Sequence, residues 1–246
     1  MHVQPIALDT SKTHEPCLGC DARQRSVCSE IDEADLAQLS ATSVGVEYQK
    51  HEVFIVEGEP ATDFYNVKHG TAKMFKLLPD GRQQITGFAG AGFFLGLAVQ
   101  HNYAFSAQAI EDVRLCRFSR IKLRHLLDDF PQLERRLFET ACKELAAAQE
   151  QMLLLGRKSA AERLASFLLG WSRETPVPVD PDLILLPMTR GEIADYLGLT
   201  IETVSRTFSL FRRELRISTP SNSEVIVLDR QWMEAAATGS LHEPAS

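Results

Sequence analysis

The stretch Thr189 to Arg216, TRGEIADYLGLTIETVSRTFSLFRRELR, constrains the chain most, because it specifies two short helices and the turn between them. Thr189 followed by Glu192 forms a capping box, and Thr200 stands where the second helix needs its N-cap. Ile193, Ala194 and Leu197 make one apolar stripe, and Ile201, Val204, Phe208 and Phe211 make another at spacings of three and four. Leu197-Gly198-Leu199 interrupts the period between them, so the pattern predicts a helix-turn-helix. On the free side of the second helix, Glu202, Ser205 and Arg206 fall at i, i+3 and i+4 and project together. An Arg can grip guanine O6 and N7, a Glu can accept from cytosine N4, and a Ser serves either way. A plain amphipathic surface helix would account for any one of these features. Their combination predicts a helix that enters a DNA major groove.

Bulk composition does not advertise such a partner. At 246 residues the chain has room for one or two domains with sizeable cores, but its formal net charge is -7. Thr189 to Arg216 carries five arginines (190, 206, 212, 213, 216) against four acids (192, 195, 202, 214), a balance of +1. Affinity for phosphate must come from charge placement and from doubling the site in a dimer, and it should be salt-dependent. The N-terminus lacks a basic start followed by an apolar core, so no signal peptide is expected. Gln83 to Ile110 contains no Asp, Glu, Lys or Arg, yet Gly87, Gly90, Gly92, Gly96 and His101 break it up. That favours a buried sheet over a membrane span, and a cytoplasmic protein with no membrane partner is expected.

Upstream, short strands are predicted at Val44–Tyr48, Val53–Val56, Phe64–Lys68, Thr71–Leu77, Gln83–Phe88, Ser106–Glu111 and Arg114–Phe118, after an acidic helix from Ile31 to Leu39. Turn signals such as His69-Gly70 and Pro79-Asp80-Gly81 separate them, and many short strands with glycine corners predict a jelly-roll or sandwich. A long helix is expected from Asp129-Phe130-Pro131, with Leu133, Leu137, Ala141, Leu145, Ala148, Met152 and Leu155 recurring every three or four residues. A helix packed on its own roll would show the same pattern. A homodimer seam is preferred, because a two-fold molecule can place two recognition helices on half-sites about 34 Å apart. Leu137, Ala141, Leu145, Ala148, Met152 and Leu155 are the expected interface residues, with Cys142 just off the seam. Another helix is expected from Ala160 to Arg173, then a loop through Pro176, Pro178, Pro181 and Pro187. Ile217 and Val225–Leu228 should form a two-stranded wing. The resulting division is a cysteine-rich segment 1–30, a roll 31–128, a dimerisation helix 129–158, a winged helix-turn-helix 159–238 and a disordered tail 239–246.

Three of the five cysteines, Cys17, Cys20 and Cys28, form a C-x2-C-x7-C cluster. In a reducing cytosol such a cluster points to a metal or redox site in preference to a disulfide framework. Three thiolates are too few for a tetrahedral or iron-sulfur site. Cys116, which alone would read as a small buried hydrophobe, is the natural fourth ligand. Zinc would suit four thiolates equally, and a Cys17/Cys20 redox pair is a third possibility that leaves Cys28 and Cys116 without a role. The seven His show no metal-ligand spacing and no nucleophile elbow or phosphate loop occurs, so an enzyme is not expected.

MTRGEIADYLGLTIETVSR, at 188–206, resembles the recognition motif of the CRP/FNR transcription regulators, the FNR branch in particular. Phe54 with Gly58-Glu59, then Phe64-Tyr65-Asn66-Val67 and Gly70, resembles that family's effector domain. The resemblance implies an α+β fold: an N-terminal β jelly-roll of the cyclic-nucleotide-binding type, a long dimerisation helix and a C-terminal winged helix-turn-helix. It implies Glu202, Ser205 and Arg206 as the base readers on TTGAT-type inverted repeats in double-stranded DNA. It further implies a 4Fe-4S cluster on Cys17, Cys20, Cys28 and Cys116, in an oxygen-responsive regulator, mainly an activator, of anaerobic or microaerobic metabolism. RNA polymerase is the implied protein partner, with Leu78 to Arg82 a candidate contact. A cyclic nucleotide is not expected, since no Lys or Arg lies between Arg82 and Arg114 to meet a buried phosphate.

Overall fold

A computed structural model describes residues 6–7, 17, 20, 22–97, 101–175 and 180–240. Most of the segment before Cys17, the loop prolines Pro176 and Pro178, and the tail from 241 onward lie outside the described residues. The chain divides into two compact units, Met1–Ala146 and Ala147–Ser246.

The first unit is built from β1 (Ile6–Ala7), β2 (Ser43–Tyr48), β3 (Val53–Ile55), β4 (Asp63–His69), β5 (Ala72–Leu77), β6 (Gln83–Ala89), β7 (Phe94–Leu95), β8 (Ser106–Ala109) and β9 (Val113–Ser119). These form two antiparallel sheets, ordered β1-β2-β9-β4-β7 and β3-β8-β5-β6. Side chains alternate across a strand, so each strand feeds two environments. Val46, Tyr65, Val67 and Leu115 of the larger sheet meet Ile55 and Ala107 of the smaller in one core. Phe64, Phe94 and Phe118, on the other face of the larger sheet, pack under α1 (Leu36–Thr42), α2 (Arg120–Asp129) and the first turns of α3 (Pro131–Arg157). Each fully buried leucine of this second core, such as Leu39, Leu126 or Leu133, contributes about 1.5–3 kcal/mol.

Three expectations shift here. Ile31 does not start a helix: its N–H donates to the Cys28 carbonyl, closing a 3-10 turn over Val27–Glu30, and α1 begins only at Leu36. The long helix does not begin at Asp129, where α2 ends instead. Phe130 leaves the helical region because Pro131 behind it disfavours α conformation, and α3 restarts at the proline. Leu133 and Leu137, read as seam residues, are buried in the unit's own second core.

In the second unit, α3 is followed by α4 (Ala160–Glu174), β10 (Leu183–Leu185), α5 (Arg190–Leu197), α6 (Ile201–Arg213), β11 (Ile217–Ser221), β12 (Glu224–Val227) and α7 (Arg230–Thr238). The wing has a third strand: β10 pairs with β12, with Leu183 opposite Ile226. Trp171 on α4 fixes it by donating from Nε1 to the Leu185 carbonyl at 2.7 Å. Ser159 caps α4 in a capping box with Glu162, and α7 buries Met233 and Ala236. Among the described residues no helix is long and apolar enough to cross a membrane.

Candidate nucleic-acid interface and thiol site

The turn of the helix-turn-helix is fixed by the groups that the sequence supplied. The Glu192 N–H donates to Thr189 Oγ1 at 3.2 Å and the Thr189 N–H returns to the Glu192 carboxylate at 2.8 Å. Gly198 ends α5 in the left-handed region at φ +61°, and Thr200 Oγ1 accepts from the Thr203 N–H to start α6. Ile193, Ala194, Leu197, Val204, Phe208 and Phe211 are all buried, Phe211 edge-on to Trp232 of α7. Ile201 is the exception: it is the first residue of α6, next to the cap, and remains half exposed.

Opposite this core, Glu202, Ser205 and Arg206 are all exposed on one side of α6. The Glu202 carboxyl is held below the usual carboxylate range by its own backbone N–H, then by the Thr200 hydroxyl and the Arg206 charge. A negative and a positive group therefore stand side by side, ready for two different base edges.

A second basic feature lies beside them, in a groove between α6 and the wing lined by Arg190, Ser209, Arg212, Thr219 and Asn222 among others, with no acid among its lining residues. Arg190 lies flat on the Phe208 ring, 3.2 Å from its centroid. Its Nη1 is buried without a hydrogen-bond partner among the described residues. Burial, aided by the nearby Arg212 charge, pulls its pKa down to about 10. Arg212 is braced by Ser209 Oγ at 3.0 Å. Such a groove suits an anion such as a backbone phosphate. Arg190 and Arg212 entered the sequence reading only as charges, since no spacing rule links Arg190 to the ring that holds it.

Behind the turn, Arg163 on α4 donates Nη1 to the Leu197 carbonyl, Nη2 to the Leu155 carbonyl and Nε to the Lys158 carbonyl, each at 2.8 Å. Gln151 adds a bond to the Tyr196 carbonyl at 2.9 Å. The end of α3 and the turn are thus one braced piece. Leu155, expected on the seam, is half-buried and faces Gly198.

Further up α3, Ala141, Leu145, Ala148 and Met152 are exposed in the single chain. Phe138, which the heptad reading passed over, is 70% exposed and continues the same stripe one turn N-terminally. Leu137, expected on that stripe, is buried.

The thiols gather at the margin of the second core. Cys17, Cys28 and Cys116 pack against it, and Cys20 follows Cys17 in a turn closed by its N–H to the Cys17 carbonyl. Strand alternation explains Cys116: Leu115 points between the sheets, so Cys116 points to the helix side with Phe118. Gly92, at φ +94°, lets the chain at Arg25 press on the roll; a Cβ there would stand 2.8 Å from Arg25 Cβ. Cys17 lies close enough to Cys20 to feel its charge, Cys28 to Cys17 and Cys20, and Cys116 to all three. Burial pushes the Cys17 thiol up, Cys28 up to about 11 and Cys116 up to about 12, with Lys68 opposing at Cys116 and the Ser26 hydroxyl at Cys28. Among the described residues no three His, Cys, Asp or Glu side chains close to metal-ligand geometry. The donor set nevertheless fits a thiophilic metal group: four sulfurs lie in one neighbourhood, and burial disfavours the charged forms of Cys17, Cys28 and Cys116 until a cation offsets them. Cys142 is exposed on α3, apart from the other four.

Comparison with known proteins matches two families to these units. The cyclic nucleotide-binding domain family covers residues 45–130 and the Crp-like helix-turn-helix domain family covers 162–236. The nitrogen fixation regulation protein FixK of Bradyrhizobium diazoefficiens is 43% identical over 222 residues, which is 90% of this chain and 93% of that protein. This chain belongs to the Crp/FNR family of transcription regulators. The transcriptional activator protein FnrL of Cereibacter sphaeroides is 36% identical over 221 residues, 87% of this chain and 88% of its own. The solved structure of FixK2 from Bradyrhizobium japonicum superposes with a TM-score of 0.75 at 35% identity, covering 83% of this chain and 99% of that one. The fold is accordingly that of a Crp/FNR regulator: an effector roll, a long helix and a winged helix-turn-helix, and the family's DNA-binding role falls to the second unit.

In this Crp/FNR protein the interior of the effector roll is occupied by packed aliphatic and aromatic side chains. Tyr48 stacks on Phe54 with centroids 5.0 Å apart, Phe54 meets Tyr65 edge-on at 5.5 Å, and Tyr103 donates its hydroxyl to the Asp63 carbonyl at 2.8 Å. Burial drives the Tyr65 phenol far above its ordinary range.

Proposed function

We propose that this Crp/FNR regulator is an oxygen- or redox-responsive activator of anaerobic or microaerobic metabolism, working as a cytoplasmic homodimer on TTGAT-type inverted repeats. The observation that carries the reading is the gathering of Cys17, Cys20, Cys28 and Cys116 at the edge of the second core. These four thiolates would hold a 4Fe-4S cluster, which when bound supplies iron that reacts with oxygen. With the sulfurs held together, the turns at Arg23–Glu30 stay pressed on the roll through Val27, Ile31 and the Gly92 contact. With the sulfurs released, that segment loses its anchor beside Leu133 and Leu137, and the start of α3 loses packing.

Glu202, Ser205 and Arg206 read the bases, and the Arg190–Arg212 groove takes a phosphate. The stripe from Phe138 to Met152 joins the two copies. The activator names of the relatives, and the exposed hairpin tip with Leu78 and the Arg82–Asp80 pair, support a contact with RNA polymerase. The packed roll interior, with no cation between Arg82 and Arg114, argues against a cyclic nucleotide.

The test is anaerobic purification with iron, sulfide and zinc analysis, a visible spectrum, and DNA binding before and after air. Four irons per chain, colour that bleaches in air, and DNA binding that falls with it are expected. A colourless protein with one zinc per chain, binding DNA equally in air, would refute oxygen sensing and leave the DNA-binding role standing. Full anaerobic activation by a chain with Cys20→Ser and Cys116→Ser would remove the cluster.

A further inference from the structure

Asn66 sits where the strand pattern calls for an apolar residue. On β4, Tyr65 and Val67 point between the sheets, so Asn66 points with Phe64 to the side where the thiols lie. It is the direct partner of Cys116 across the β4–β9 ladder. It is 1% exposed. Its Nδ2 donates toward Cys28 Sγ at 3.9 Å, within reach for a bond to sulfur, while its Oδ1 is buried with no partner among the described residues. A side chain there for volume alone would be better apolar, because an orphaned buried carbonyl costs stability that a leucine would not. The amide is therefore best explained by the sulfur it faces, and an N–H donor to sulfur gains strength when that sulfur carries negative charge.

We infer that Asn66 is a positioning residue for the thiol site, its amide N–H holding and partly neutralising the Cys28 thiolate beside Cys116. The inference rests on the cluster reading above. Hydrogen bonds to ligand sulfurs withdraw electron density and make a site harder to oxidise, so Asn66 lengthens its life in air.

The decisive comparison is the full chain with Asn66→Leu, which keeps the volume, against the natural chain. Both are purified anaerobically, assayed for iron and sulfide, and followed by visible absorbance on mixing with air-saturated buffer. The same chains are stripped of metal and their thermal midpoints measured. We expect Asn66→Leu to load iron and sulfide but lose colour about tenfold faster, while its metal-free form unfolds at the same or a higher temperature. Asn66→Ala should show the same acceleration should the leucine not be accommodated. Unchanged or slower colour loss, or a lowered metal-free midpoint with unchanged colour loss, overturns the inference and leaves the cluster reading intact. Absence of iron and sulfide from the natural chain overturns both.

Discussion

The stripe on α3 makes the most quantitative prediction. Leu145 is 61% exposed in the single chain and stands midway between Phe138 at 70% and Met152 at 64%. Burying the exposed part of one leucine against a second copy removes apolar surface worth about 1.5 kcal/mol, about 3 kcal/mol for the symmetric pair. Leu145→Ala, which forfeits most of that, should weaken dimerisation by about a hundredfold. Leu145→Glu adds two carboxylates facing each other across the two-fold axis, each desolvated at several kcal/mol, so it should yield monomers at micromolar concentration. Sedimentation velocity reads the dimer, and fluorescence anisotropy on an inverted repeat reads the loss of paired half-sites. Glu150→Gln, exposed on the same helix, is the matched control and should remain dimeric. A Leu145→Glu protein that sediments as a dimer and binds the repeat like the natural chain would show that another surface joins the copies.

Other perturbations follow from the same geometry. Gly198→Ala places a side chain at φ +61° with Leu155 Cδ2 3.2 Å from the new carbon; it should cost about 1–3 kcal/mol of stability in urea titration, and a neutral result would mean that the turn relaxes freely. Arg190→Gln should weaken binding to specific and random DNA alike and lower the slope of log affinity against log salt by about 1; loss confined to the specific site would make Arg190 a base reader instead. In the metal-free protein, burial raises the Cys28 thiol from 9.0 to about 11, so the folded state holds that proton more tightly than the unfolded chain does. Its stabilising contribution is complete below about pH 9 and is lost as pH rises through about 11. The Cys28→Ser protein should accordingly lose less stability than the natural chain over that interval, in urea midpoints taken pH by pH, and equal losses would contradict the burial of Cys28.

How much of this was legible in the sequence depended on whether the signal was local. The capping box at Thr189, the cap at Thr200 and the turn at Gly198 are satisfied by neighbours in the chain, so the motif could be read residue by residue. Seven strands of the roll were legible by alternation and glycine corners to within a residue or two, whereas β1 and β7, of two residues each, are too short to show a period. The seam failed at one end because α3 is apolar on two sides there. Leu133 and Leu137 go to the unit's own core and Phe138 to the outside, and periodicity alone cannot assign two adjacent apolar residues to different partners. β10 was hidden because its three residues sit among prolines and become a strand only through β12. Arg190 on Phe208 and Asn66 beside Cys28 are contacts between distant positions and left no pattern to find.

The way Arg190 is held bears on how fast the protein can find its target. With a net charge of -7, the chain as a whole repels a polyanion at long range, so capture must depend on groups ready at the moment of collision. An arginine locked to an acid would first have to break that bond. Arg190 rests on a ring at the lining of the groove and is held by no acid among the described residues, so an arriving phosphate displaces no internal carboxylate. Encounters that reach this groove therefore need no ion pair at Arg190 to be broken first, which removes one barrier to capture at the moment of collision.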